Sequence, residues 1–164
     1  MLTQWNTRAQ NRKFFFFYCG GKDSSLALYQ AMQMGEPVAL IGMLEEQGLK
    51  SRSHGMSLDI IHAQAKAIGL PIYTASATWQ DYENQFIQLL RKAQALGAES
   101  LVTGDIDLKA HAEWNQSVCD KSELSLCMPL WQRPRLDIVH EFIQLGFQSI
   151  IVTVNLNLGM TVED

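Results

Sequence analysis

The sequence predicts an α/β protein with a doubly wound, mostly parallel sheet and helices on both faces, as in Rossmann-like domains. Unbroken apolar runs, such as residues 14–18 and 38–44, are typical of strands that are buried on both faces. Segments in which apolar residues recur with helical spacing separate these runs. This alternation of strands and helices favours a parallel sheet with right-handed crossovers.

Start and stop signals define each element. Ser24 opens the first helix, Gly35 ends it, and Pro37 prevents its extension. Ser57 caps the second helix, which Gly69 ends. The predicted strands cover residues 14–18, 38–44, 71–75, 100–103, 124–128 and 149–154, and the predicted helices cover residues 24–34, 57–68, 81–96, 108–121 and 136–145.

The chain of 164 residues is long enough for one domain with its own core. We assign that domain to residues 14–154, with a flexible leader over 1–13 and a tail over 155–164. A hydrophobic content of 47% and a charged content of 18% are typical of a globular protein. The net charge of −4 disfavours non-specific binding to nucleic acid or to an anionic membrane.

The cysteines indicate a reduced, cytoplasmic protein. Cys19, Cys119 and Cys127 are odd in number and form no C-x-x-C pair, which argues against a disulfide framework or a zinc ribbon. No apolar run approaches the roughly 20 residues that a membrane-spanning helix needs, so we predict no membrane partner.

A glycine turn follows the first strand and opens the first helix. Gly20 and Gly21 allow the backbone to approach an anion closely, and the helix that begins near Ser24 directs its positive end there. Lys22 adds positive charge, and Asp23 offers the oxygen ligand that Mg²⁺ prefers next to phosphates. Neither G-x-x-x-x-G-K-[ST] nor G-x-G-x-x-G occurs, so this phosphate cradle is of another kind.

Polar segments follow three further predicted strands. Residues 51–55 come after the second strand, residues 104–107 after the fourth and residues 131–135 after the fifth. Ligands of open parallel sheets bind beyond the carboxyl ends of the strands. The sequence therefore predicts that these segments share one rim with the cradle.

The string Gly-Gly-Lys-Asp-Ser after the first strand resembles the pyrophosphate loop (PP-loop) of the N-type ATP pyrophosphatases, which have HUP-type domains. Together with Ser51-Arg-Ser-His-Gly55, Gly104-Asp-Ile-Asp107 and Pro129-Leu-Trp131, it is similar to the ordered motifs of the diphthine–ammonia ligase family. The resemblance covers residues 14–154. It implies a PP-loop ATPase-like fold that binds ATP and Mg²⁺.

The resemblance also implies a reaction. A ligase of this kind uses ATP to adenylate a carboxylate, which can be a modified protein side chain, and ammonia then displaces AMP to give an amide. The implied catalytic residues are Lys22, Asp23 and Asp105, and the implied metal ligand is Asp23. The implied ATP-binding residues are Cys19, Gly20, Gly21, Lys22, Asp23, Ser24, Ser25, Met43 and Gly104. The implied substrate-binding residues are Ser51, Arg52, His54, Asp107 and Trp131.

Structural explanations stay open for several of these residues. Asp107 would also suit the N-cap of the following helix, and Trp131 would suit the core. Arg52 and His54 would suit a solvated loop. Cys19 replaces the serine of the superfamily and is a weaker donor, and its place near a helix N-terminus favours a reactive thiol.

Two other functions stay open. One is a module that binds ATP or AMP without ligase activity, because Cys19 departs from the pattern and these 164 residues hold no counterpart of the family's acidic C-terminal loop. The other is a tRNA-modifying PP-loop relative, which the net charge and the cysteine spacing disfavour. A homodimer is also left open.

Overall fold

The computed structural model describes residues 4–152 and residue 157, and within them five strands form one parallel sheet. The strands are β1 (Lys13–Phe17), β2 (Glu36–Leu44), β3 (Ile72–Ser76), β4 (Ser100–Val102) and β5 (Ser125–Cys127). The helices are α1 (Lys22–Met32), α2 (Leu58–Ile68), α3 (Tyr82–Ala95), α4 (Lys109–Lys121) and α5 (Arg135–Gln144). The α/β, doubly wound class is confirmed.

The chain enters the sheet at its centre. The strand order is β3-β2-β1-β4-β5, so the chain first moves outward from β1 to β3 and then crosses back to β4. In register, Phe15 pairs with Ala39 on one side and with Leu101 on the other. The direction of winding therefore reverses between β1 and β4, which is where open sheets of this kind bind ligands.

Both faces of β1 are buried, as its unbroken aromatic run predicts. Phe14 and Phe16 pack with α1, α2 and α5 in one apolar cluster. Phe15 points to the opposite face and packs with α3 and α4 in a second cluster. Among the residues described, no helix is both long enough and apolar enough to cross a membrane.

Part of the segment that the sequence assigns to a flexible leader packs against the end of β5. The Asn6 side chain is buried, and its amide nitrogen lies 3.1 Å from the carbonyl oxygen of Met128 and 3.2 Å from that of Trp131. Trp5 meets the Trp131 ring edge to face at 5.6 Å. Residue 13, predicted as the last leader residue, already belongs to β1.

The sixth predicted strand, over residues 149–154, is wrong for the part that the structure describes. Residues 149–152 form no strand, and Ile150 is 87% exposed; residues 153 and 154 lie outside the described residues. An apolar run becomes a strand only when a neighbour satisfies its backbone groups. The contacts next to β5 come instead from the N-terminal segment, where the Met128 N–H donates to the Trp5 carbonyl oxygen.

Candidate active site

A cleft of about 940 Å³ opens beyond the carboxyl ends of β1 and β4. Its walls come from the turn after β1, the loops after β2, β3 and β4, the first half of α4, and Arg135. This volume suits a small-molecule ligand, since such pockets usually measure about 300–1,000 Å³. The cleft therefore lies at the reversal of winding that the sheet order creates.

The phosphate cradle of residues 19–25 forms the floor of the cleft. Gly20 has a φ of 80°, a left-handed conformation that favours glycine, and Gly21 is the N-cap of α1. The Cys19 N–H donates to Ser24 Oγ at 3.2 Å, and Ser25 Oγ donates to the Gly21 carbonyl at 3.0 Å. These bonds fix the turn at the positive end of the α1 dipole, which is an arrangement suited to phosphate.

Lys22 and Asp23 form an ion pair beside this turn. Lys22 Nζ lies 2.7 Å from Asp23 Oδ1, and both residues line the cleft. Mg²⁺ usually takes one or two carboxylates together with phosphate oxygens and water, and Asp23 fits that requirement. The described residues hold no group of three or more His, Cys, Asp or Glu side chains placed to bind a metal by themselves.

Cys19 and His54 both line the cleft above the cradle, close enough to shift each other's pKa. Burial by itself would raise the pKa of the Cys19 thiol, but bonds from His54, the Gly21 backbone and Ser24, with the His54 charge, lower it below its usual value. The bond to Cys19 in turn raises the pKa of His54, against the opposing effect of burial. The interaction therefore shifts both groups toward their charged forms.

The long loop after β2 folds back toward the cradle. Antiparallel bridges join Leu44 to Ser51 and Lys50 to Ser57. Ser51 is buried, and its Oγ accepts the Met56 N–H at 3.2 Å, so this side chain holds the turn together.

This turn brings His54 so close to Gly21 that a Cβ on Gly21 would lie 2.7 Å from His54 Nε2. The backbone of Gly21, with φ −80°, does not itself require glycine, so the close approach of His54 is what a side chain there would disturb. A side chain there would displace the imidazole that pairs with Cys19.

Asp105 lies after β4 with three partners for its carboxylate. Thr103 Oγ1 donates to Oδ2 at 2.7 Å, Asn115 Nδ2 donates to Oδ2 at 2.8 Å, and His111 Nδ1 lies 3.1 Å from Oδ1. The carboxylate is therefore held in a fixed orientation in the cleft. Such a group can accept a hydrogen bond from an amine or orient ammonia.

Asp107 does not cap α4, because Leu108 is the N-cap residue and makes no side-chain cap bond. Its carboxylate instead accepts two hydrogen bonds from Arg135, at 2.8 Å and 2.7 Å. This pairing lowers the pKa of Asp107 below its usual value. The pair joins the loop after β4 to the start of α5 at the rim of the cleft.

An aromatic wall, formed by Phe17, Trp79, Tyr82 and Trp114 over the buried ring of Phe86, runs along the cleft on the side of α3 and α4. Tyr82 stacks on Phe86 with ring centres 6.3 Å apart, and Trp114 packs on both rings. Trp79 extends the wall outward and is 76% exposed. Trp79 was not predicted as a site residue, although its place in the loop after the third predicted strand could have suggested it.

Five predicted site residues do not line the cleft. Met43 is buried in β2, and its carbonyl accepts the Arg52 N–H at 3.1 Å. Trp131 is 6% exposed in the core. Gly20, Ser25 and Ser51 shape the turns from behind. The predicted residues that do line the cleft are Cys19, Gly21, Lys22, Asp23, Ser24, Arg52, His54, Gly104, Asp105 and Asp107.

Among solved structures, the chain is similar to one described as a predicted subunit of tRNA methyltransferase from Methanocaldococcus jannaschii. The TM-score is 0.53 at 16% identity, covering 81% of this chain and 76% of that one. It is also similar to the U34-tRNA thiolase NcsA from Methanococcus maripaludis with its 4Fe-4S cluster. That TM-score is 0.50 at 16% identity, covering 85% of this chain and 60% of the thiolase, so these likenesses show the fold alone.

No curated protein matches the chain by sequence. A family model does match it: the model of the diphthamide synthase N-terminal domain covers residues 12–126, from the start of β1 to within β5. This span holds the cradle, the loop after β2 and the loop after β4. Because the match covers well over half of the chain, the protein belongs to the diphthamide synthase N-terminal domain family.

Proposed function

We propose that this protein is an ATP-dependent, AMP-forming ligase that joins ammonia to a carboxylate. The observation that carries the proposal is the cradle of residues 19–25, a glycine turn at the start of α1 that opens into the cleft. Family membership supports the same assignment, because the cradle lies within the matched residues. The acceptor would be a carboxylate small enough, or on a chain extended enough, to reach the cleft.

The first chemical step would take place at the cradle. A carboxylate oxygen of the acceptor attacks the α-phosphorus of ATP, the bond to the bridging oxygen breaks, and pyrophosphate leaves with that electron pair. The Gly21 backbone and the Lys22 ammonium stabilise the leaving charge, which is usually the largest catalytic effect in such sites. Mg²⁺, which Asp23 would help to hold, supplies further neutralisation of the phosphates.

The second step would form the amide. The lone pair of ammonia attacks the acyl carbon, the bond to the AMP oxygen breaks, AMP leaves with those electrons, and the surplus proton passes to a base. Asp105 is oriented to accept hydrogen bonds from ammonia by its bonds to Thr103 and Asn115. His54 and Asp107, at the edges of the cleft, are proposed contacts for the acceptor.

The test is an incubation of the protein with ATP, Mg²⁺, ammonium and a panel of carboxylates, in which AMP and pyrophosphate are measured. The ligase proposal predicts equal amounts of both products, formed only when carboxylate and ammonium are present. Binding of ATP without release of AMP across the panel would favour the module that binds nucleotide without catalysis.

Replacement of Lys22 by alanine tests where the phosphates lie. A hydrogen bond to a charged group contributes about 1.5–3 kcal/mol, so Lys22→Ala should weaken ATP binding by about 10- to 150-fold in calorimetry. Lys109→Ala is the matched control, since Lys109 is exposed, pairs only with Glu113 on α4 among the described residues and lies outside the cleft. Unchanged affinity for ATP in Lys22→Ala would contradict the placement of the phosphates.

A second candidate is a tRNA-modifying PP-loop enzyme. The observation that favours it is Cys19 at the cradle, whose thiol pKa His54 lowers, and two proteins of similar fold are named for tRNA modification. In the same assay, AMP release that requires tRNA, and that no small carboxylate supports, would favour this candidate over the ligase.

We also propose a cytoplasmic location. All three cysteines are free in the structure, and Cys119 and Cys127 are buried apart from one another, which suits a reducing compartment. The homodimer stays a prediction, which sedimentation of the purified protein can check.

A further inference from the structure

The outer end of the aromatic wall presents a flat, exposed ring on the rim of the cleft. Trp79 is 76% exposed although neighbouring Tyr82 is largely covered, and burial raises the pKa of that tyrosine to about 12. A large aromatic side chain left this open at the mouth of a pocket marks a surface on which a ligand can stack.

Hydrogen bonds on both sides of Trp79 hold the turn on which this residue lies. The Asp81 carboxylate accepts the Thr78 N–H at 2.7 Å and the Thr78 hydroxyl at 2.6 Å, and the Asp81 N–H donates back to Thr78 Oγ1 at 3.2 Å. On the other side, the Ala77 N–H donates to the Leu44 carbonyl at 3.3 Å. The exposed ring is therefore carried by ordered backbone.

Arg52 joins this wall to the loop that covers the cradle. Its guanidinium carbon lies 4.4 Å from the centre of the Trp79 ring, and one of its terminal nitrogens donates to the Ala77 carbonyl. Arg52 also lines the cleft, so a flat ring stacked on the indole would lie beside a positive charge.

Met43, which the resemblance implied as an ATP-binding residue, does not line the cleft, and its carbonyl accepts the Arg52 N–H. Among the described residues that do line it, the flat apolar surface is the wall that ends in Trp79. The wall and the cradle belong to one continuous cleft of about 940 Å³, which is large enough for a whole nucleotide.

We propose that Trp79, with Arg52 beside it, is the subsite for the adenine ring of ATP. This inference rests on the proposed ATP binding at the cradle and adds the position of the base.

The test compares ATP with tripolyphosphate, a probe that has the phosphates and no base. In calorimetry, Trp79→Ala should weaken ATP binding by roughly 5- to 150-fold, since stacking of a base on an aromatic ring has about that effect. The affinity for tripolyphosphate should not change. Trp79→Phe should restore most of the affinity for ATP, and Ile143→Ala, an exposed apolar position outside the cleft, should match the wild type.

Tryptophan fluorescence gives a second readout. ATP should quench the wild-type emission, tripolyphosphate should not, and Trp79→Phe should lose the quenching while it still binds ATP. Unchanged ATP affinity in Trp79→Ala would overturn the assignment, and so would an equal loss of affinity for both probes. Failure of the wild-type protein to bind either probe would overturn the proposed function, and this inference with it.

Discussion

The three cysteines differ because their surroundings differ. Burial raises the pKa of Cys119 to about 12 and that of Cys127 to about 11, so both stay protonated and unreactive at neutral pH. Cys19 is also partly buried, but it faces the cleft, and its bonds to His54 and the Gly21 backbone outweigh the effect of burial on its pKa. The nucleophilic thiolate is therefore expected at one position only.

Alkylation with iodoacetamide checks this expectation. We expect one label per folded chain, on Cys19, with a rate that rises at lower pH than for an ordinary thiol. His54→Gln removes the bond that favours the thiolate, so the pKa of Cys19 should rise and the rate curve should move to higher pH. His62→Gln, on the exposed side of α2, is the control. If the alkylation rate of His54→Gln depended on pH in the same way as that of the wild type, the effect of His54 on the pKa of Cys19 would be contradicted.

Single site residues were predictable where their geometry is local. Gly21 and Lys22 follow a strand and open a helix, and that order alone directs them to the rim of the sheet. Trp79 also follows a predicted strand, but its contact with Arg52, which comes from another loop, could not be predicted from that order. Trp131 was assigned to substrate, but its contact with Trp5, far away in the sequence, places it in the core.

At the level of whole elements, the cradle depends on how closely the loop after β4 approaches α1. Gly104 lies against the first turn of α1, where a Cβ would be 3.0 Å from Ser24 Cα and 3.1 Å from its nitrogen. Both of those atoms are backbone, so they cannot move aside without shifting the start of the helix. This contact links the two halves of the sheet directly behind the cleft.

Gly104→Ala should therefore destabilise the protein by about 1–3 kcal/mol, the usual effect of overpacking, and should weaken ATP binding by moving the cradle. Gly42→Ala is the matched control, because a Cβ on this strand glycine would meet nothing closer than 3.6 Å. We expect that control to be neutral or slightly stabilising. Urea unfolding measures the change in stability, and calorimetry measures the change in ATP affinity. Equal stability and equal ATP affinity of Gly104→Ala and Gly42→Ala would contradict the prediction.

A strand could be predicted from an apolar run where neighbouring strands supply the partners for its backbone hydrogen bonds. The run of residues 14–18 became β1 because β2 and β4 lie on either side of it. A similar run begins at residue 149 and forms no strand as far as residue 152. Hydrophobicity indicates that a segment can be a strand, but the partner that accepts its hydrogen bonds is a property of the tertiary fold.

For the molecule as a whole, the N-terminal segment connects the two ends of the matched region. Asn6 lies within 3.1 Å of the Met128 carbonyl and 3.2 Å of the carbonyls of Pro129 and Trp131, in the turn that follows β5. Ala9 is fully buried in the cluster that α1 and α5 share. The segment thus stabilises the edge of the sheet at β5.

Asn6→Ala should lower the free energy of unfolding by about 1–3 kcal/mol, because buried carbonyl groups would lose their donor. Asn84→Ala, at an exposed position on α3, should change it by no more than about 0.5 kcal/mol. Urea denaturation followed by circular dichroism measures both. If Asn6→Ala lowered the free energy of unfolding as little as Asn84→Ala, the hydrogen bonds of Asn6 would not be what holds the N-terminal segment in place.

The central position of β1 also sets the order of events during synthesis. The Lys13 N–H reaches the side chain of Glu99, 86 residues later in the chain, where β4 begins. A ribosome adds roughly 5–20 residues per second, so β1 waits about 4–17 s for that neighbour. During this interval one edge of a strongly apolar strand is open to other chains, and the nascent protein is expected to depend on chaperones until β4 emerges.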